Sequence, residues 1–135
     1  MRERARAAAN AAIGPDDRAG VVVVLADDLI WASRLADAVA AAGGTARRVR
    51  RVEDLQRLLA TEAGALAIVD LTARAYDGIA AVGAAHDAGA RVVAVGQHDD
   101  AALRKAALEA GAERVFTYRA LFEGGPRLLG AWLAR

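Results

Sequence analysis

Three apolar runs constrain this chain more than anything else in it: "VVVVLA" (Val21 to Ala26), "ALAIVDL" (Ala65 to Leu71) and "ARVVAVG" (Ala90 to Gly96). None alternates apolar with polar residues, as a strand with one wet face would. A strand that is apolar at every position has both faces covered, which is the mark of a parallel sheet held between two helical layers. Two further segments read as strands. "TARRVRR" (Thr45 to Arg51) is short and basic, and "RVFTY" (Arg114 to Tyr118) is the last.

Helical stretches separate the runs. Trp31, Leu35, Val39 and Ala42 repeat at helical spacing, and Gly43-Gly44 ends that pattern. Val52 to Ala60 presents Leu55, Leu58 and Leu59 on one side. Further helices are predicted from about Asp77 to Ala88, from a cap at Asp99 or Asp100 to Ala110, and from Pro126 through Leu128, Leu129, Trp132 and Leu133. Five strands alternating with five helices predict an α/β domain: a single doubly wound, five-stranded parallel sheet of flavodoxin-like order 2-1-3-4-5 with helices on both faces. The domain spans residues 20–135. Residues 1–19 are Arg/Ala-rich, closed by Gly14-Pro15, and read as a helical or flexible lead-in.

Composition removes several classes. The 135 residues contain no cysteine, so neither disulfides nor thiol chemistry arise. The net charge of +1 gives no footprint for nucleic acid or an anionic membrane. No apolar run approaches the roughly 20 residues that span a bilayer, and the N-terminus lacks a secretion signal's apolar centre, so a cytoplasmic protein is expected. No glycine follows the first strand, which excludes dinucleotide and P-loop turns. The single serine, Ser33, lies inside a helix, so there is no nucleophile elbow. No enzyme activity is expected.

What stands out chemically is acid at the carboxyl ends of strands, where sheets of this type bind ligands. Asp27 and Asp28 follow the first strand and Asp70 closes the third. If the two strands are neighbours, three carboxylates crowd one edge. Like charges brought together cost free energy, and a hard divalent cation would relieve it.

These landmarks resemble the receiver domains of response regulators over about Val21 to Arg135. "LADD" stands where that family has its acidic pair, Asp70 where it has the phospho-accepting aspartate, and "DLTARAYDG" brings Asp77-Gly78 at the family's spacing; Gly111-Ala112 precedes the last strand. The resemblance implies two-component signalling, Asp70 as the phospho-acceptor candidate, a magnesium site at Asp27, Asp28 and Asp70, and a protein partner such as a histidine kinase-like signalling protein or a second copy of the chain.

The departures from the family pattern are chemical. With Gly43 on the family's helix-ending glycine, Ala26 takes the first acidic position and Asp27 the second, with Asp28 one residue late. The family's hydroxyl residue after the fourth strand falls on Gly96, its lysine-proline on Tyr118-Arg119, and its loop proline near Arg74. The one lysine, Lys105, is mid-helix and cannot serve. A one-residue shift would put Arg119 at the lysine position and Phe116 at the switch aromatic; the unshifted register puts Val115 there. Arginine's planar fork does not replace a compact ammonium. The expectation is therefore a pseudo-receiver, acting by protein–protein interaction with weak or no phosphorylation and at most weak magnesium binding. The alternatives are an active phospho-receiver with Asp70 as acceptor and Arg119 in place of lysine, and a flavodoxin-like domain binding a small ligand near Ala26, Asp70 and Gly96. The expected interaction face, which a homodimer could also use, comprises Leu103, Arg104, Tyr118 and Phe122.

Plainer roles compete for the same residues. One of Asp27 and Asp28 suits an N-cap. Asp70 can be satisfied by Thr72 or a backbone amide. His86 and His98 are isolated surface residues without metal-ligand spacing. The basic run Arg47, Arg48, Arg50 and Arg51 could meet an acidic partner, but charges on an edge strand also discourage edge-to-edge pairing. Trp31 and Trp132 are expected to pack, and Leu121 to tuck under the last helix while Phe122 stays available for contact.

Overall fold

A computed structural model describes residues 20–97 and 99–135; the expected lead-in and His98 lie outside the described residues. Five strands form one parallel sheet: β1 (Val21–Leu25), β2 (Thr45–Val49), β3 (Leu66–Asp70), β4 (Arg91–Gly96) and β5 (Ala112–Thr117), in the order β2-β1-β3-β4-β5. This is the predicted topology.

The absence of alternation in the central strands follows from how they are buried. Val22, Val24, Ile68, Val93 and Val95 face α1 (Leu29–Ala41), α5 (Tyr118–Gly124) and α6 (Pro126–Leu133). Their neighbours Val23, Leu25, Ala67, Val69, Val92 and Ala94 face α2 (Val52–Thr61), α3 (Gly78–Asp87) and α4 (Ala101–Ala110). Both faces are dry, so each position is worth burying: about 1.5–3 kcal/mol for a valine or leucine taken out of water. β2 is an edge strand, with Arg47 and Arg48 exposed as the edge reading expects.

Six helices are described rather than five. The segment after β5 is helix α5, not an extended connection. Thr117 caps it by accepting from the Ala120 amide at 3.0 Å, and Gly125, with φ of 63°, ends it before Pro126 opens α6. Leu121 is buried, as expected, and so is Tyr118. At the other end of the site, Gly78 opens α3 so close to the chain leaving β3 that a Cβ would lie 2.8 Å from the Leu71 Cα. Only glycine fits there, and the approach pins the β3–α3 loop over the strand ends.

Candidate functional site

β1 and β3 are hydrogen-bonded neighbours, with Leu25 paired to Val69, so the residues that follow them share one edge. The chain winds away from this point in both directions, which opens a crevice at the carboxyl ends. Asp27, Asp28, Trp31, Asp70, Thr72, Arg74 and Gln97 line an open cleft of about 520 Å³ there. The three aspartates singled out from the sequence are therefore brought together, and Gly96 ends the adjacent strand, buried and paired to Thr117.

Each aspartate already has work. Asp28 is the N-cap of α1, accepting from the Ile30 and Trp31 amides at 2.9 and 3.0 Å. Asp27 reaches across to the β3–α3 loop, where its Oδ2 accepts from the Arg74 and Ala75 amides, both at 2.9 Å. Asp70, only 1% exposed, accepts on one oxygen, Oδ1, from the Thr72 amide at 2.9 Å and the Thr72 hydroxyl at 2.7 Å. Thr72 is thus the partner that the sequence offered for Asp70.

Among the described residues, Asp70 Oδ2 has no hydrogen-bond donor, and no arginine or lysine lies within ion-pair distance of Asp70. A buried carboxylate without a cation carries a penalty of several kcal/mol.

Two tyrosines complete the edge. The Tyr76 hydroxyl lies 2.9 Å from both the Leu25 and Asp70 carbonyl oxygens and donates its one proton to them. Tyr118, 3% exposed, sits with its hydroxyl beside the Asp70 carboxylate but outside hydrogen-bond geometry, and that hydroxyl has no partner among the described residues. Burial, reinforced by the Asp70 charge, pushes both phenols well above the ordinary tyrosine range. Tyr118 also packs on Trp31, ring centres 4.2 Å apart, and both stack with Phe122. Arg34 lies over Trp31 and Phe122 at 5.4 and 5.0 Å from their ring centres.

Several expectations change against this geometry. At the end of β5 Tyr118 faces Asp70, whereas the Arg119 side chain, on the second residue of α5, points outward, is 84% exposed and bonds Glu123 at 3.0 Å. Tyr118 also leaves the expected interaction face, since its ring is buried. Phe122 is half-buried against Trp31; Leu103 and Arg104 approach β5 from the opposite face of the sheet, Arg104 bonding the Val115 carbonyl and Asp99.

Magnesium keeps several waters and needs only one or two protein carboxylates, and Asp27 and Asp70 are the carboxylates that would hold it here. Among the described residues no three acidic or imidazole side chains converge to hold a metal ion, since Asp28 is turned to its helix and Asp27 to the loop.

Tyr76, Gln97 and Arg34 escaped the sequence reading, whereas Trp31 packs as expected and also lines the cleft. For Tyr118 the signal existed: Tyr118, Leu121 and Phe122 keep helical spacing behind a capping threonine.

No protein-family model and no curated protein matches the sequence. Solved structures do match in fold. A two-component response regulator from Clostridium difficile is 13% identical with a TM-score of 0.74, covering 86% of this chain and 97% of its own. A CheY-like response regulator receiver domain protein from Methanospirillum hungatei is 16% identical with a TM-score of 0.69, covering 85% and 90%. The receiver domain of the Francisella response regulator 1452 is 16% identical with a TM-score of 0.68, covering 85% and 93%. The likeness establishes the fold: this chain has the flavodoxin-like fold of response-regulator receiver domains.

Proposed function

We propose that this chain is a receiver-like signalling module that acts by protein–protein interaction rather than by aspartyl phosphorylation or any catalysis of its own. The observation that carries the reading is Tyr118. Transfer of a phosphoryl group to a carboxylate is mostly positioning and charge neutralisation. The residue that faces Asp70 from the end of β5 is a neutral, buried phenol, and the nearest arginine in sequence, Arg119, is turned to solvent and paired with Glu123. Gly96 brings no hydroxyl, and Thr72 already holds Asp70 Oδ1. Each missing charged or preorganised contact costs on the order of 2–4 kcal/mol in a transition state. Leu29 and Ile30, 60% and 69% exposed on the first turn of α1 beside the cleft, support a contact surface that needs no phosphate.

Incubation with acetyl phosphate and magnesium is expected to leave the intact mass unchanged. A stable gain of one phosphoryl group, abolished in Asp70→Asn, would replace this reading with that of an active phospho-receiver.

A further inference from the structure

The cleft beside Asp70 does not end there. Trp31 and Gln97 also line a second open cleft of about 490 Å³, whose other walls are Arg34, Tyr118, Arg119, Phe122 and Glu123. The first cleft is acidic and the second aromatic, and they border each other at Trp31 and Gln97. Each half has the size of an ordinary small-molecule site.

We infer that this joined cleft binds a small organic monocation with a flat apolar body, an arylalkyl amine in chemical class. The acidic half calls for positive charge. Asp70 is buried without a counter-cation among the described residues, and Asp27 and Asp28 add to the same field. The Tyr118 hydroxyl beside it, without a hydrogen bond of good geometry among the described residues, is a second sign. It is buried, lies against Asp70 and stays polar and unsatisfied among the described residues, which a folded chain tolerates where a group from outside completes the bonding.

Among the described residues no three acidic or imidazole side chains converge as metal ligands. A primary ammonium has three N–H donors and less strict angular demands. Asp70 Oδ2 and Asp27 Oδ1, neither of which has a donor among the described residues, and the Tyr118 oxygen are acceptors of the right kind.

The aromatic half selects the body. Trp31 and Phe122 lie within 4° of parallel, their centres 6.0 Å apart, and offer a flat wall to a planar group. Arg34 already lies over both rings. A ligand with a second positive charge at that end would meet the Arg34 guanidinium, so linear diamines are disfavoured. The inference goes beyond the interaction reading and does not depend on it, because the uncompensated carboxylate is there whether or not phosphate is exchanged.

The test is a titration of the full 135-residue chain followed by amide NMR, with tryptamine, putrescine, indole-3-propionate and magnesium chloride as separate probes. Tryptamine should shift the Thr72, Arg74 and Ala75 amides and the Trp31 indole N–H in a saturable way. Its affinity should fall at least about tenfold in Asp70→Asn, which keeps an acceptor for Thr72 but removes the charge. Putrescine, lacking the apolar body, and indole-3-propionate, carrying the opposite charge, should bind at least about tenfold more weakly. Absence of saturation by tryptamine at millimolar concentration, equal affinity in Asp70→Asn, or equal affinity for putrescine would each overturn the proposal. Saturation of the same amides by magnesium at lower concentration than by tryptamine would overturn it too, in favour of a metal site.

Discussion

Asp70 at the carboxyl edge of the sheet and Glu113 at its amino edge are both shielded carboxylates, yet the chain treats them in opposite ways. Glu113, at the start of β5, takes Arg91 through two nitrogens at 3.1–3.2 Å, the Trp132 indole N–H at 3.0 Å and Arg135 at 3.3 Å. Those partners, the Arg91 hydrogen bonds foremost, hold its pKa below the ordinary glutamate range. Arg91 also bonds the Trp132 carbonyl, so the network ties α6 to the sheet. Among the described residues Asp70 receives only Thr72. Glu113 is thus tied into the architecture, while Asp70 keeps an oxygen without a donor among the described residues.

The two edges should fail at opposite ends of the pH scale. The chain's only tyrosines, Tyr76 and Tyr118, are the two at the carboxyl edge. Their folded pKa values are raised, so their contribution is intact below the ordinary tyrosine range near pH 10 and is lost as pH rises beyond it. Spectrophotometric titration should therefore show no tyrosinate until the protein unfolds, and then both phenols at once. A phenol that ionises near pH 10 in folded protein would break the contrast. At the amino edge the sign reverses. Glu113 is lowered, so its contribution is present above the ordinary glutamate range and disappears as pH falls below it.

Smaller in effect, and sharper, is a pair of isosteric changes. Glu113→Gln removes the charge from a set of ionic hydrogen bonds and should cost about 2–3 kcal/mol at neutral pH. Asp70→Asn removes an uncompensated charge while an oxygen still serves Thr72, and should gain about 1 kcal/mol. Urea denaturation of both variants at pH 7 decides it; a loss in Asp70→Asn as large as that in Glu113→Gln would mean that Asp70 is structurally compensated after all. The smallest effect belongs to the rim of the site. The double variant Leu29→Ser, Ile30→Ser should stay within about 0.5 kcal/mol of wild type. Its capture of a signalling partner should nevertheless weaken, as a pull-down would measure.

Most of the fold was legible because a doubly buried strand has little freedom in composition: "VVVVL", "LAIVD" and "RVVAVG" announce β1, β3 and β4 to within a residue. The helix starts at Asp28, Asp77 and Asp100 were legible to within a residue for a similar local reason, although the sequence left Asp27 or Asp28, and Asp99 or Asp100, open as the cap. The site was legible only where it lies at a strand end. Asp70 could be placed, but what faces it could not, since a shift of one residue exchanges Tyr118 for Arg119. That choice is made by packing: the ring of Tyr118 lies against Phe122 one turn on and against Trp31, which comes from the other end of the described chain. Tyr118, which the sequence places at the end of the last strand, opens a helix instead because Thr117 caps it. The opposing partners of Glu113 were equally invisible, because Arg91 comes from β4 and Trp132 and Arg135 from the C-terminal segment, far apart in the sequence.

The Tyr76 hydroxyl touches the last carbonyls of β1 and β3 at once, while Asp27 grips the two amides just before Tyr76. The β1–α1 turn and the β3–α3 loop are thereby cross-stitched, each holding an atom of the other. The two sets of bonds share no atom but tie the same two segments, so the rim beside Asp70 is braced twice over, once through a carboxylate and once through a phenol.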